Sequence, residues 1–155
     1  MRFDWKNLST RDRAVVGCAG VALISLFLPW WGVDVFGVSL SVDGWSAGFT
    51  AWAGGLLLTA AGVLLVLRRS GAAFSANVRP AVLVAGVASL GLLLVVVRWA
   101  SLPRYRGFDV GARYGLYVAL IAGIAEVAVA VLAMRAPDEP VPEGPTPDAP
   151  ATPEE

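Results

Sequence analysis

Four long apolar segments alternate with shorter segments that carry most of the charge. A helix of about 20 apolar residues, rising 1.5 Å per residue, crosses the roughly 30 Å hydrocarbon core of a bilayer. The pattern therefore predicts an all-α membrane protein, an antiparallel four-transmembrane-helix bundle that occupies residues 14–135. Its predicted helices are residues 14–31, 48–67, 80–97 and 114–134.

The segment between the first two predicted helices, residues 32–47, has a different period. Residues 38–42 read VSLSV, so apolar and hydroxyl side chains alternate as they do in a strand with two dissimilar faces. A turn at Phe36-Gly37 would let this strand pair with the residues before it. The pattern predicts a short β-hairpin in the first outer loop, lying on the membrane surface.

Both ends of the chain are polar. Residues 1–13 form a basic lead, in which Ser9 or Thr10 is a candidate helix cap with Asp12 in the first turn. Residues 136–155 are rich in proline and acidic residues and contain no basic or aromatic residue, so they cannot bury enough apolar surface to offset the entropy of ordering. We expect a cytoplasmic basic lead and a disordered cytoplasmic tail.

The composition argues against several classes of function. Hydrophobic residues make up 57% of the chain, charged residues 15%, and the formal net charge is zero, which argues against a nucleic-acid partner. The chain has no histidine, the commonest metal ligand and the usual acid–base catalyst near neutral pH. Cys18 is its one cysteine, so no disulfide or multi-cysteine metal site can form within the chain. We expect no cofactor, no metal and no enzymatic activity.

The distribution of lysine and arginine predicts the orientation in the membrane. With both termini inside, eight basic residues lie on the inner side and four on the outer side, so the positive-inside rule places the N- and C-termini in the cytoplasm. The inner set is Arg2, Lys6, Arg11, Arg13, Arg68, Arg69, Arg79 and Arg135.

Glu126 is the one charged residue inside the fourth predicted helix, about 18 Å from its N-terminal end. A charged side chain at that depth costs about 2.5–3.5 kcal/mol on insertion scales and usually faces protein or water. Small residues at spacings of three and four place Glu126 on the packing side of the helix. Matching the depths of the helices predicts an intramembrane polar layer of Glu126, Thr59, Ser89 and Ser25.

Three roles are compatible with Glu126 at this depth. The first is packing alone, in which burial keeps the carboxyl neutral and it bonds to Thr59, Ser89 or a backbone carbonyl. It could instead have a proton- or ion-linked role, including substrate binding. A third role is an ion pair with a basic residue of a partner, because no lysine or arginine of this chain lies at the same depth.

Basic and aromatic residues mark the predicted membrane surfaces. The second outer loop, residues 98–113, carries an outer basic set that suits either lipid headgroups or an anionic ligand or partner. That set is Arg98, Arg104, Arg106 and Arg113. Tryptophans near the ends of the apolar segments are candidate interface anchors, because indole rings favour the headgroup level. These are Trp30, Trp31, Trp45 and Trp99.

Three short motifs resemble a known kind of protein. The stretch Leu28–Trp31 reads LPWW, residues 43–45 read DGW, and residues 115–117 read GLY at the start of the fourth predicted helix. Over about residues 10–135 the chain resembles small four-span membrane proteins that are common in actinobacteria. The resemblance implies a plasma-membrane protein and transfers no site residue.

These observations lead to one functional hypothesis and one alternative. The hypothesis is a non-enzymatic accessory or scaffold protein of the bacterial cell envelope, which acts through helix–helix contacts in the bilayer with a second copy or with another membrane protein. The alternative is a small transporter or channel component that uses Glu126 and, because four spans are too few for a pore, works as an oligomer.

Overall fold

The computed structural model of the chain describes residues 9–69, 80–103 and 110–135. These residues form a mostly helical fold with four helices and a small sheet. The elements in chain order are α1 (Thr10–Ser25), β1 (Pro29–Val35), β2 (Val38–Asp43), α2 (Phe49–Arg69), α3 (Pro80–Ala100), β3 (Val110–Ala112) and α4 (Tyr114–Arg135). Most of the predicted basic lead and the whole predicted tail lie outside the described residues.

The first helix begins at a capping box. The Ser9 hydroxyl accepts a hydrogen bond from the Asp12 backbone N–H at 3.2 Å, and the Asp12 carboxylate accepts one from the Ser9 N–H at 3.3 Å. Both bonds satisfy donors that the start of a helix leaves open. The prediction that Ser9 or Thr10 caps the helix is confirmed, with Ser9 as the cap.

The prediction that the first helix continues to Trp31 is wrong, because α1 ends at Ser25. The Ser25 hydroxyl donates to the carbonyl of Ala22 at 2.6 Å, and the indole N–H of Trp30 donates to the carbonyl of Ser25 at 2.7 Å. The second bond occupies a carbonyl that a continuing helix would use. Pro29 has no N–H to extend the helix and instead opens strand β1.

The other three helices begin and end within three residues of their predicted bounds. Each is long and apolar enough to cross a membrane, over Phe49–Arg68, Ala81–Ala100 and Tyr114–Arg135. The first helix has 16 residues and is not among these candidate spans. Its length corresponds to about 24 Å, which is shorter than the hydrocarbon core.

Neighbouring helices run in opposite directions. Gly62 lies against Ala19 inside α1, whereas Gly55 lies against Leu26, just after the end of α1. The order of contacts along α2 is thus the reverse of the order along α1. Contacts of α1 with α2, α2 with α3, α3 with α4 and α4 with α1 join the four helices in a closed ring.

Glycine lets α2 and α3 approach backbone to backbone. A Cβ added to Gly54 would lie 3.0 Å from the carbonyl oxygen of Gly91, and a Cβ added to Gly91 would lie 3.0 Å from that of Gly54. On α4, Gly123 faces Leu58 of α2 and Leu92 of α3. Close approach through small residues is the way in which helices associate in lipid.

The predicted β-hairpin is present, with its turn at Phe36-Gly37. Both turn residues have positive φ, 48° for Phe36 and 81° for Gly37. Two-residue turns of this kind match the twist of the strands that they join. β1 and β2 pair antiparallel, with Val35 opposite Val38 next to the turn.

The sheet also has a third strand that the sequence analysis does not predict. β3 pairs antiparallel with β1, with Val110 opposite Val33 and Ala112 opposite Trp31, so the strand order is β2-β1-β3. A strand of three residues is too short to show a period. The sheet lies where α1 and α3 end and α2 and α4 begin, a region that we call the sheet end of the bundle.

Small side chains fill most of the interior, and many large apolar side chains face outward. Water-soluble domains show the reverse arrangement, because water drives large apolar groups inside. Lipid-facing helices have no such drive and pack through small residues. Buried alanines include Ala22, Ala51, Ala61, Ala88 and Ala119, and exposed apolar residues include Ile24, Leu56, Leu93, Ile121 and Leu132.

Candidate functional site

The candidate site centres on Glu126, which α4 carries into the interior of the bundle. The buried residues of α4 recur at spacings of three and four and form one face of the helix. They are Gly115, Leu116, Ala119, Ala122, Gly123, Glu126 and Ala130. Glu126 is 0% exposed, so its carboxyl is enclosed by protein and faces neither lipid nor water.

The carboxyl of Glu126 has no hydrogen-bond partner among the described residues. Neither of its two oxygens is bonded, and both are buried. A buried polar group without a partner costs about 1–3 kcal/mol, so this side chain opposes the stability of the bundle that encloses it.

The predicted polar layer does not form as a hydrogen-bonded network. Thr59 donates to the carbonyl of Gly55 in its own helix at 2.9 Å, and Ser25 likewise bonds within α1. Ser89 is exposed, although its neighbour Ala88 is fully buried. Adjacent residues of a helix are turned by about 100°, so Ser89 lies on the outward side of α3 while Ala88 faces the interior.

These placements narrow the roles that the sequence leaves open for Glu126. The hydrogen bond to Thr59 or Ser89 that the packing role assumes is absent among the described residues. A basic side chain from a partner could not reach a carboxyl that is 0% exposed unless the helices separated. Within the described part of the chain, no group of three or more acidic, cysteine or histidine residues could hold a metal ion.

The outer basic set divides into residues with different surroundings. Arg113 directly precedes α4, and its Nη2 donates to both carboxylate oxygens of Asp34 and to the Ser39 hydroxyl, each at 2.9 Å. Arg98 lies in the last turn of α3, and its guanidinium carbon is 6.0 Å from the centre of the Trp31 ring. Arg104 and Arg106 lie outside the described residues.

The bonds to Asp34 also change its acidity. The Ser39 hydroxyl, followed by the Arg113 guanidinium, holds the pKa of the Asp34 carboxyl below its ordinary value of 3.8. Hydrogen bonds to the charged form of an acid favour that form. The ion pair joins β1 to the segment that leads into α4, and so it links the hairpin to the helix that carries Glu126.

The four predicted interface anchors do not share one environment. Trp30 is 0% exposed and donates to the carbonyl of Ser25, so its assignment as an interface anchor is wrong. Trp31 is half-buried beneath Arg98. Trp45 and Trp99 are exposed at the sheet end, and Trp45 contacts Phe27 edge to face with ring centres 5.7 Å apart.

Two relationships at the sheet end are absent from the sequence analysis. One is the pairing of Arg113 with Asp34 and Ser39, and the other is the cation–π contact of Arg98 with Trp31. Both join residues more than 60 positions apart, and both depend on where β1 lies. The sequence contains one sign of the first relationship, because Asp34 is a single acidic residue in an otherwise apolar strand. Such an acid indicates a cationic partner but does not identify it.

Comparison with known proteins gives no relative: no protein-family model, no curated protein and no solved structure matches this chain.

Proposed function

We propose that this chain is a multi-pass plasma-membrane protein whose four helices all cross the bilayer. Three helices are long and apolar enough to do so, and their outward faces are apolar. α1 packs along α2 and α4 inside the same ring of helices. A span that is short for the bilayer is accommodated by local thinning or by basic side chains that reach the headgroups, and Arg11 and Arg13 lie at the start of α1.

The distribution of basic and aromatic residues supports an orientation with both termini in the cytoplasm. The inner side then holds the larger number of lysines and arginines, as the positive-inside rule requires. The sheet end lies outside the cell, and its exposed aromatic residues occupy the outer interface, where such rings are favoured. These residues are Phe27, Trp45, Phe49, Trp99, Tyr114 and Tyr117.

Within the membrane, the chain acts as a non-enzymatic accessory or scaffold protein of the bacterial cell envelope. The observation that carries this proposal is the outward side of α1, where Gly17 and Gly20 are exposed with open space over both. Outward glycines on a membrane helix allow another helix to approach closely. The occupant is a second copy of this chain or another membrane protein. Association would also shield the helix that is shortest relative to the bilayer.

Affinity purification of the full chain in a mild detergent, with mass spectrometry and a measured stoichiometry, tests this function. We expect a stoichiometric partner or a second copy to remain with the native chain. Gly17→Leu and Gly20→Leu should release it, because a large side chain prevents close approach. Gly86→Leu is the matched control, since Gly86 also faces open space but lies on α3. A monomer in every sample, native chain included, would contradict the proposal.

The buried carboxyl favours a second candidate function, a small transporter or channel component that uses Glu126. A carboxyl enclosed without a hydrogen-bond partner lowers stability, and polar groups inside membranes often serve proton or ion movement. Four helices leave no pore within one copy, so this function also requires an oligomer. A stoichiometric foreign partner favours the accessory function, whereas a homo-oligomer is required by the transporter.

A further inference from the structure

Arg98 and Trp31 form a corner at the sheet end in which two hydrogen-bond donors lack acceptors. The Nε of Arg98 and the Nε1 of Trp31 are both buried, and neither has a hydrogen-bond partner among the described residues. The guanidinium carbon lies over the Trp31 ring, 6.0 Å from its centre. Buried donors are almost always paired in proteins, so two unpaired donors on neighbouring side chains indicate an acceptor from outside the described residues.

No acidic side chain in the described residues neutralises Arg98. Asp34 is bonded to Arg113, and the Asp43 carboxylate accepts a hydrogen bond from the Ser46 backbone N–H at 2.8 Å. The guanidinium of Arg98 makes no hydrogen bond or ion pair with another described residue. Its positive charge is therefore available, while the charge of Arg113 is already paired.

The start of α2 adds further attraction for an anion. Gly48 directly precedes α2, and a Cβ added there would lie 4.0 Å from Nη1 of Arg98. The first turn of α2 contains no acidic residue. The N-terminal end of a helix presents backbone N–H groups and a partial positive charge, which favour anions. A guanidinium, an indole N–H and a helix start thus meet at one place.

We propose that Arg98 and Trp31 bind an anionic phosphate group at the sheet end. Guanidinium groups bind phosphate oxygens through strong charge-assisted hydrogen bonds. The cation–π contact holds the guanidinium beside Trp31, and the indole N–H offers another donor to the same ligand. The phosphate comes from a lipid headgroup or from a free phosphate ion. The proposal is independent of the accessory function and of the side of the membrane on which the sheet lies.

Native mass spectrometry of the full chain in a nonionic detergent tests the site, with titration of phosphatidylglycerol and of diacylglycerol as probes. The two lipids share a glycerol backbone and acyl chains, but diacylglycerol has no phosphate. We expect the native chain to retain phosphatidylglycerol in preference to diacylglycerol. Arg98→Gln should weaken phosphatidylglycerol binding by about tenfold or more, the effect of losing a charge-assisted hydrogen bond.

Two further variants separate the site from general charge and from folding. Arg113→Gln removes the same charge at the same end, but from an arginine that is already paired, and it should leave binding unchanged. Trp31→Phe keeps an aromatic ring beneath Arg98 and removes its N–H, so it should weaken binding by a smaller factor than Arg98→Gln. If Arg98→Gln does not fold, Trp31→Phe and the comparison of the two lipids on the native chain decide the matter.

The source of the phosphate follows from a competition arm in the same titration. Displacement of phosphatidylglycerol by inorganic phosphate would identify a site for free phosphate, and failure to displace it would identify a lipid headgroup site. The proposal is overturned if diacylglycerol binds as well as phosphatidylglycerol. It is equally overturned if folded Arg98→Gln binds like the native chain, or if Arg113→Gln loses as much affinity as Arg98→Gln.

Discussion

Arg113 holds Asp34 through a single nitrogen, Nη2, which lies 2.9 Å from both carboxylate oxygens. The same nitrogen donates to Ser39 on β2, so one side chain connects both strands of the hairpin to the start of α4. The pair is largely open to solvent. Exposed ion pairs contribute little to global stability. The pairing of β1 with β2 and β3 also holds the hairpin, so we expect the hairpin to keep its position when the ion pair is removed.

The first prediction concerns the acidity of Asp34. Its pKa should lie below 3.8, first because of the Ser39 hydroxyl and then because of Arg113. Because the folded pKa is lowered, the stabilisation is complete above pH 3.8 and is lost as the pH falls through the lowered value. Carboxyl NMR of the labelled chain measures this titration. Ser39→Ala and Arg113→Gln should each move the pKa of Asp34 towards 3.8. An unchanged pKa in both variants would show that Ser39 and Arg113 do not lower it.

The second prediction concerns the contact between α2 and α3. Gly91→Ala should destabilise the bundle by about 1–3 kcal/mol, the range for overpacking, because the added methyl would lie 2.9 Å from the backbone nitrogen of Leu58. Gly86→Ala in the same helix meets nothing within 4 Å and should be neutral or stabilising by up to about 1 kcal/mol. Thermal unfolding in detergent compares them. Equal unfolding temperatures for the two variants would show that α2 and α3 leave room for a methyl group at Gly91.

The third prediction concerns the end of α1. Trp30→Phe removes the indole donor and leaves the Ser25 carbonyl without that bond in a fully buried place. We expect a loss of about 1–3 kcal/mol of stability, the cost of an unpaired buried acceptor. Trp45→Phe is the control, because Trp45 is exposed and a phenyl ring keeps its contact with Phe27. Equal unfolding temperatures for the two variants would show that the Trp30 bond does not fix the end of the helix.

The sequence predicts the long helices well because length and hydropathy alone determine a membrane-crossing segment. The end of α1 does not follow from those quantities. Residues 26–31 are as apolar as the residues before them, and the helix stops because Trp30 turns back to bond Ser25. That bond forms only after the chain has folded back, so hydropathy places the boundary six residues too late, at Trp31 in place of Ser25.

At the candidate site, too, the sequence predicts how far along its helix a residue lies better than which side of the helix it occupies. Counting residues along the helices places Glu126 inside the bundle, where the structure also has it. Counting does not determine which side of α3 faces α4, and Ser89 lies outside while Ala88 lies inside. Residue spacing likewise does not predict the partner of Arg113. Asp34 is 79 positions away and is brought close by the pairing of β3 with β1.

The fourth prediction concerns orientation in the membrane. Cysteines placed at Ser39 and at Ser70, each in a Cys18→Ser background, report the two sides. Ser39 lies on β2 at the sheet end, and Ser70 directly follows α2. An impermeant maleimide on intact cells should label the first cysteine and leave the second unlabelled until the cells are opened. Labelling of position 70 alone would reverse the orientation, and labelling of both would contradict the predicted crossing of α2.

The last prediction separates the two candidate functions at Glu126. If the carboxyl serves packing alone, Glu126→Met should be neutral or stabilising by up to about 3 kcal/mol, because it removes a buried polar group that has no partner among the described residues. If the carboxyl moves protons or ions, Glu126→Gln should abolish the cellular activity while the chain stays folded, because an amide does not titrate in this range.

Thermal unfolding in detergent and a growth phenotype of the deletion strain together measure these outcomes. Thr59→Val is the matched control, because Thr59 is a half-buried polar residue whose hydroxyl bonds within its own helix. Normal growth with Glu126→Gln and also with Glu126→Met would show that the carboxyl serves packing alone. A strain that fails with both, although both proteins fold and Thr59→Val complements, would show that titration of this carboxyl is needed, which the accessory function does not require.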